Sequence, residues 1–356
     1  MDRYPRRDDL REMQGYHSPQ VAARVRLNTN ESPIEPPSEF VASLADAVAD
    51  VRWNRYPDRS ARELRTAIGA MHGVGPENVF VANGSNEVLQ AVLLAYSGAG
   101  RVVATFEPTY QLHSHIARVA GATVVNGSRN GDFTLDPSEV RRVCDSFSPS
   151  VTFLCSPNNP TGMAESPEVV SVAVERTPGI VIVDEAYAQF SPFSAVSLVA
   201  DSGRLAVSRT FSKTWSMAAL RLGYVVAPNW MVADLEIVAL PYHLDALKQR
   251  AGLLALRHVA RMESGVRAVV AERERLIDAM RRLPLTVWSS QANFILFRPN
   301  DRRGSDVWQG LLESGVLVRD CSSWEGLADC LRVTVGTPEE NDVFLGALRG
   351  VLAARD

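Results

Sequence analysis

Val181-Ile182-Val183-Asp184-Glu185-Ala186-Tyr187 sets a carboxylate at the end of an unbroken apolar run, and this run decides the reading of the chain. A strand with Val and Ile at consecutive positions has no polar face, so both faces must be covered, as in a parallel sheet lying between helices. The acid that ends it is costly to desolvate unless it meets a cation. Lys213, Arg221 or a protonated ligand nitrogen would serve. Working outward, similar apolar runs occupy residues 79–82, 101–106, 122–125, 151–155, 180–183, 205–208 and 222–227. The stretches 87–96, 112–120 and 167–176 between them have helical spacing. The alternation predicts an α/β architecture with a doubly wound, mostly parallel sheet.

The flanks have a different texture. Residues 1–40 are rich in Pro, Asn, Ser and charge and read as an arm with little regular structure. Residues 41–240 form the large domain and residues 241–356 a smaller α+β domain. The latter opens with a long helical region over 244–283 and continues with strand-like segments at 286–287, 293–297, 316–318 and 331–335. Its last helix starts at Thr337-Pro338-Glu339-Glu340, a capping box with proline in the first turn.

Composition narrows the function classes. The chain of 356 residues is 46% hydrophobic and 22% charged with a net charge of −4, a balance that favours neither nucleic acid nor an anionic membrane surface. No apolar stretch nears the roughly 18 residues that a membrane span needs, and residues 1–12 lack the apolar centre of a signal peptide. Cys144, Cys155, Cys321 and Cys330 show no paired spacing and read as free thiols of a reducing cytoplasm. His113-x-His115 is the one histidine cluster and lacks a third ligand, so no metal is expected.

Of the 37 basic residues only Lys213 and Lys248 are lysines. An amine can shed its proton and attack a carbonyl, whereas a guanidinium stays protonated. Lys248, in Leu247-Lys248-Gln249-Arg250, has ordinary helix-surface surroundings. Lys213 instead closes Ser208-Arg209-Thr210-Phe211-Ser212-Lys213, eight residues before Arg221. The other distinctive motifs also fall at strand ends, where ligands collect in an open parallel sheet. Asn83-Gly84-Ser85-Asn86-Glu87 opens a helix and offers backbone N–H groups to an anion. Glu107-Pro108-Thr109-Tyr110 brings an aromatic to the same edge. Cys155-Ser156-Pro157-Asn158-Asn159-Pro160-Thr161-Gly162 is a rigid turn that aims asparagines into the crevice.

From about Leu27 onward this set of motifs resembles the fold-type-I pyridoxal-phosphate (PLP) enzymes, and among them the class-II aminotransferases. The resemblance implies that Lys213, Asp184 and Tyr187 are catalytic. Lys213 would form the aldimine with the cofactor aldehyde, and Asp184 would keep the pyridine nitrogen protonated. Asn159 and Tyr187 would hydrogen-bond to the ring 3-oxygen, and Tyr110 would stack on the ring. The 5′-phosphate would rest on the N–H groups of Ser85 and Asn86, with side-chain contacts from Thr210, Ser212 and Arg221. The residue types suit these roles. A protonated pyridine is an electron sink, a freed amine can shuttle a proton, and a guanidinium can grip phosphate with two hydrogen bonds.

Five further stretches resemble the histidinol-phosphate aminotransferase family: Arg26-Leu27-Asn28-Thr29-Asn30-Glu31-Ser32-Pro33, Arg55-Tyr56-Pro57-Asp58, Leu240-Pro241-Tyr242-His243-Leu244, Val318-Arg319-Asp320 and Leu331-Arg332-Val333-Thr334-Val335-Gly336-Thr337. By that resemblance Arg332 binds the carboxylate of the amino donor, Arg319 and Tyr16 hold the substrate phosphate, and Asn30 belongs to the same substrate site. Tyr56 would reach the cofactor phosphate of the neighbouring subunit, which implies a homodimer with shared sites. The expected activity is a cytoplasmic ping-pong transfer of an amino group between glutamate/2-oxoglutarate and histidinol phosphate/imidazole-acetol phosphate. Two alternatives stay open. One is an aminotransferase of the same family for aromatic or other amino acids. The other is a decarboxylase of a phosphorylated amino acid, because Cys321-Ser322-Ser323-Trp324-Glu325-Gly326 also resembles the threonine-phosphate decarboxylases. A transcription regulator on the same fold would need a DNA-binding module, and residues 1–40 are too short and polar for one. A serine hydrolase would need a G-x-S-x-G elbow, which does not occur.

Overall fold

The computed structural model describes residues 4–11, 13–15 and 21–354. Among them the first strand, β1 (Val25–Leu27), stands apart from the seven that follow. These are β2 (Val79–Ala82), β3 (Val102–Glu107), β4 (Thr123–Ser128), β5 (Val151–Cys155), β6 (Ile180–Asp184), β7 (Leu205–Thr210) and β8 (Gly223–Val226). They form one sheet in the order β2-β8-β7-β6-β5-β3-β4. All neighbours are parallel except β8, which runs against both β7 and β2. The sheet is therefore mostly parallel, as the apolar runs predict.

Burial explains why these runs are strands rather than helices. Every residue of β5 and β6 is buried. Ile180 and Ile182 pack on one face with Val88, Leu89 and Phe153, against the helices Ser85–Tyr96 and Asn229–Val238. Val181 and Val183 pack on the other with Val143 and Val169, from the helices Pro137–Phe147 and Pro167–Arg176. Each such side chain contributes about 1.5–3 kcal/mol by leaving water. The last two helices begin where their sequences say they should. Asp136 accepts a hydrogen bond from Ser138 N and Ser166 accepts one from Val169 N, each followed by proline.

The second sheet is built from β9 (Leu285–Val287), β10 (Phe294–Pro299), β11 (Val316–Asp320) and β12 (Leu331–Thr334), in the order β1-β11-β12-β10-β9. Two details refine the sequence reading. The regular structure of the arm includes the short β1, which joins this sheet parallel to β11, with Val25 and Leu27 buried and Arg26 exposed. Three residues of alternating pattern are too few to be seen against a polar background. The long helical region is present and consists of more than one helix. It divides into Ala246–Ala255 and Val259–Met280 around a tight turn at Leu256–His258. The final helix, Pro338–Ala353, carries the expected reciprocal cap between Thr337 and Glu340.

The topology does one thing for function. Because β2, β3, β5, β6 and β7 all point the same way, their carboxyl ends share one edge. The antiparallel β8 begins at that edge, which brings Arg221 there as well.

Candidate active site

At that edge lies a cleft of about 220 Å³, walled by both sheets. Its lining includes Asn30, Ser85, Asn86, Tyr110, Asn159, Asp184, Tyr187, Thr210, Ser212, Lys213, Arg221, Arg319 and Arg332, so thirteen of the residues singled out in the sequence converge on one space.

Asp184, the last residue of β6, is buried and accepts from Ser208 Oγ at 3.1 Å. Its second oxygen lies 3.0 Å from His113 Nε2. The anticipated partners were Lys213, Arg221 or a ligand nitrogen, and within the protein the partner is instead His113. The histidine sits in the first turn of the helix Leu112–Val119, three residues after Tyr110. Its ring stacks on Phe153 at 4.7 Å with 4° between the planes, and Tyr110 meets it edge-on at 5.4 Å. Phe153 and Tyr110 thus fix the plane of the imidazole, whose Nε2 faces the carboxylate.

Lys213 Nζ donates to Thr29 O at 3.1 Å and lies 5.8 Å from the centre of the Tyr187 ring. Burial pulls its pKa down from 10.5 to about 7, and the nearby Arg332 and Arg221 push in the same direction. At neutral pH a large share of the amine is therefore unprotonated and able to attack a carbonyl. Tyr187 is buried and receives a hydrogen bond from Asn30 Nδ2 at 3.0 Å. Burial raises its pKa, which keeps the phenol protonated as a donor.

The two arginines occupy opposed positions. Arg319 on β11 pairs directly with Arg332 on β12, so their side chains share a face. Arg332 is buried and donates to Asn159 Oδ1 and, at 2.9 Å, to Asn28 O, while its guanidinium lies 5.1 Å over the Phe294 ring. Arg319 lies 5.9 Å over the Trp324 ring.

A separate cradle for an anion forms where the helix Ser85–Tyr96 begins. Gly84 leaves the first N–H groups without a side-chain cap, and a helix start carries roughly half a positive charge. Arg221 Nη1 and Thr210 Oγ1 both contact Ser212 Oγ, at 3.2 and 3.0 Å. A Cβ at Gly84 would stand 2.8 Å from Arg221 Nη2, and one at Gly223 would stand 2.2 Å from Ser85 N. Both glycines are therefore what lets the guanidinium and the helix start approach one another.

Tyr56, which the resemblance assigns to the neighbouring subunit's site, does not line this cleft. Tyr56 is 80% exposed and stacks on Tyr242 at 4.4 Å with 14° between the rings. Tyr16 lies outside the described residues. Residues of the cleft or its support that the sequence does not single out for it include Asn28, Thr29, Trp324 and His113. The signal for His113 lies in His113-x-His115, a spacing that suggests metal ligation, and among the described residues no group of three metal-binding side chains forms. The four cysteines are free and buried.

Comparisons with known proteins agree with this geometry. The model of the family "Aminotransferase class I and II" matches residues 23–348. Histidinol-phosphate aminotransferases of Frankia casuarinae and Thermobifida fusca are each 44% identical to the chain over 98% of its length, covering 90% and 95% of their own. Among solved structures, a histidinol-phosphate aminotransferase from Sinorhizobium meliloti in complex with pyridoxal-5′-phosphate has a TM-score of 0.88 at 20% identity, covering 97% of this chain and 96% of that one. An aspartate aminotransferase variant from Thermus thermophilus has a TM-score of 0.84 at 22% identity over 98% of this chain and 99% of that one. At such identities these two show the shared fold.

Proposed function

The chain belongs to the class I and II aminotransferases, and within that family we propose that it is a PLP-dependent enzyme moving an amino group between glutamate/2-oxoglutarate and histidinol phosphate/imidazole-acetol phosphate. The observation that carries the substrate half is the opposed pair Arg319 and Arg332 in the cleft that also holds Lys213. Like charges directly across two strands disfavour the sheet, and a site that must accept a carboxylate and a phosphate in turn gives that pairing a use.

The donor set fits the cofactor. The uncapped helix start with Thr210, Ser212 and Arg221 matches a phosphate, and Asp184 in the apolar floor matches a protonated ring nitrogen. Asn159 and Tyr187 would face the ring 3-oxygen, Tyr110 one ring face, and Lys213 the aldehyde. When bound, pyridoxal 5′-phosphate supplies the conjugated ring that takes up electrons released at the substrate α-carbon. The chain's own residues do the rest. Lys213 Nζ, with a pKa of about 7, takes a proton at the α-carbon and delivers it elsewhere on the bound molecules. His113 and Ser208 hold the Asp184 carboxylate in place. Arg332 grips the donor carboxylate, Arg319 and Tyr16 the substrate phosphate, and Asn30, which donates to the Tyr187 hydroxyl, belongs to the same substrate site.

The same reading includes the division into an arm (1–40), a large domain (41–240) and a small domain (241–356), and a cytoplasmic homodimer whose Tyr56 serves the neighbouring site. Exposed Trp53, Tyr56, Ile237 and Leu240 give the dimer an apolar surface to bury. Among the described residues no helix is long and apolar enough to cross a membrane. The test is product analysis with the PLP-loaded protein. Glutamate must form from 2-oxoglutarate in step with loss of histidinol phosphate. Carbon dioxide release from phosphothreonine in place of that exchange would overturn the reading.

A further inference from the structure

We propose that Trp324 is a positioning residue for Arg319 and thereby sets selectivity for the phosphorylated substrate, an inference that rests on the function proposed above. Trp324 is buried in a small apolar cluster with Phe133, Leu296, Leu327 and Cys330, separate from the cores that hold the two sheets. Cys321, Trp324, Leu327 and Cys330 of this cluster come from the short segment between β11 and β12, where Trp324 N donates to Cys321 O and Leu327 N to Trp324 O. The turns fix the indole, and the guanidinium of Arg319 lies over it at 5.9 Å.

The reason such a support matters is the space around it. Arg319 and Trp324 line the cleft that contains Lys213, and both also line an adjoining polar groove with Gln111, His115 and Arg118. An arginine on that partition has rotamers leading into either compartment, and Arg332 directly opposite repels it from the cleft. The indole face attracts the cation and gives its planar group a surface to stack on. It holds Arg319 at the cleft wall against that repulsion, so that a phosphate arriving there meets a preset donor. Glutamate, bound through Arg332, draws on this support far less.

The experiment compares the PLP-loaded wild type with Trp324→Leu, Trp324→Met and Trp324→Phe. Folding is checked by thermal midpoint and cofactor retention. Separate half-reactions are measured with histidinol phosphate, unphosphorylated histidinol and glutamate. In the Leu and Met variants KM for histidinol phosphate rises about tenfold, while KM for glutamate changes by less than about twofold, and Phe restores most of the loss. Equal losses for both donors, or no loss for either, would overturn the inference. If the wild type itself shows no preference for histidinol phosphate over histidinol, the phosphorylated-substrate reading falls, and the inference with it.

Discussion

His113 Nε2 lies 3.0 Å from Asp184 Oδ2, with the imidazole fully buried and the carboxylate nearly so. The helix Leu112–Val119 thereby fixes the carboxylate at the end of β6 from outside the cleft, and Ser208 fixes it from β7. Replacing His113 with Phe keeps the stack on Phe153 but leaves one carboxylate oxygen short of a partner. The expected loss is about 1–3 kcal/mol of stability, read by urea unfolding of the cofactor-free protein. PLP should also dissociate faster, measured by dialysis and absorbance.

On the proposed function, the opposed arginines would separate the two substrates. Arg332→Gln should raise KM for glutamate most, and Arg319→Gln should raise KM for histidinol phosphate most. Each loses a charge-assisted hydrogen bond worth about 1.5–3 kcal/mol, or roughly ten- to a hundredfold. Half-reaction kinetics check this. Equal effects of both changes on both substrates would contradict the division of labour.

Lys213 makes stability depend on pH in a definite direction. Its folded pKa of about 7 lies below the ordinary 10.5, so between those values the unfolded chain binds more protons than the folded one. Stability from this group therefore rises with pH across that window, and the cost of burying the ammonium is greatest below about pH 7. Cofactor-free Lys213→Met should accordingly gain most over the wild type at pH 6 and lose that advantage as pH approaches 10. Thermal midpoints at several pH values give the comparison.

A structural pair lies beside the site. Arg209 donates to Glu185 Oε2 through Nε at 2.9 Å and Nη2 at 2.6 Å, both side chains being buried, and Glu185 directly follows Asp184. Arg209→Met should cost about 3–5 kcal/mol, because it strands a buried carboxylate. Adding Glu185→Gln should recover part of that loss, as read from urea midpoints.

How much of this was legible in the sequence follows from which physical signals are local. All seven strands of the larger sheet are visible because burial on both faces leaves unbroken Val and Ile runs such as residues 180–183. The motifs at their ends are visible because a cofactor edge needs Gly, Asn, Asp and Lys where a plain turn does not. The partner of Asp184 is not local. His113 reaches it only because β3 and β6 flank β5 in the sheet, a fact of strand order. The pairing of Arg319 with Arg332 depends on register across β11 and β12, and the exposed stack of Tyr56 on Tyr242 joins segments far apart in the chain. The short β1 escapes notice because its partner strand lies nearly three hundred residues on, pairing Val25 with Val316.

The central claim is tested most directly by a single-turnover absorbance titration of the PLP-loaded protein with histidinol phosphate, glutamate, phenylalanine and phosphothreonine. Histidinol phosphate and glutamate should each convert the pyridoxal spectrum to the pyridoxamine spectrum, and phenylalanine should hardly do so. Faster conversion by phenylalanine than by histidinol phosphate would contradict the account, leaving the fold and the family in place and removing the substrate.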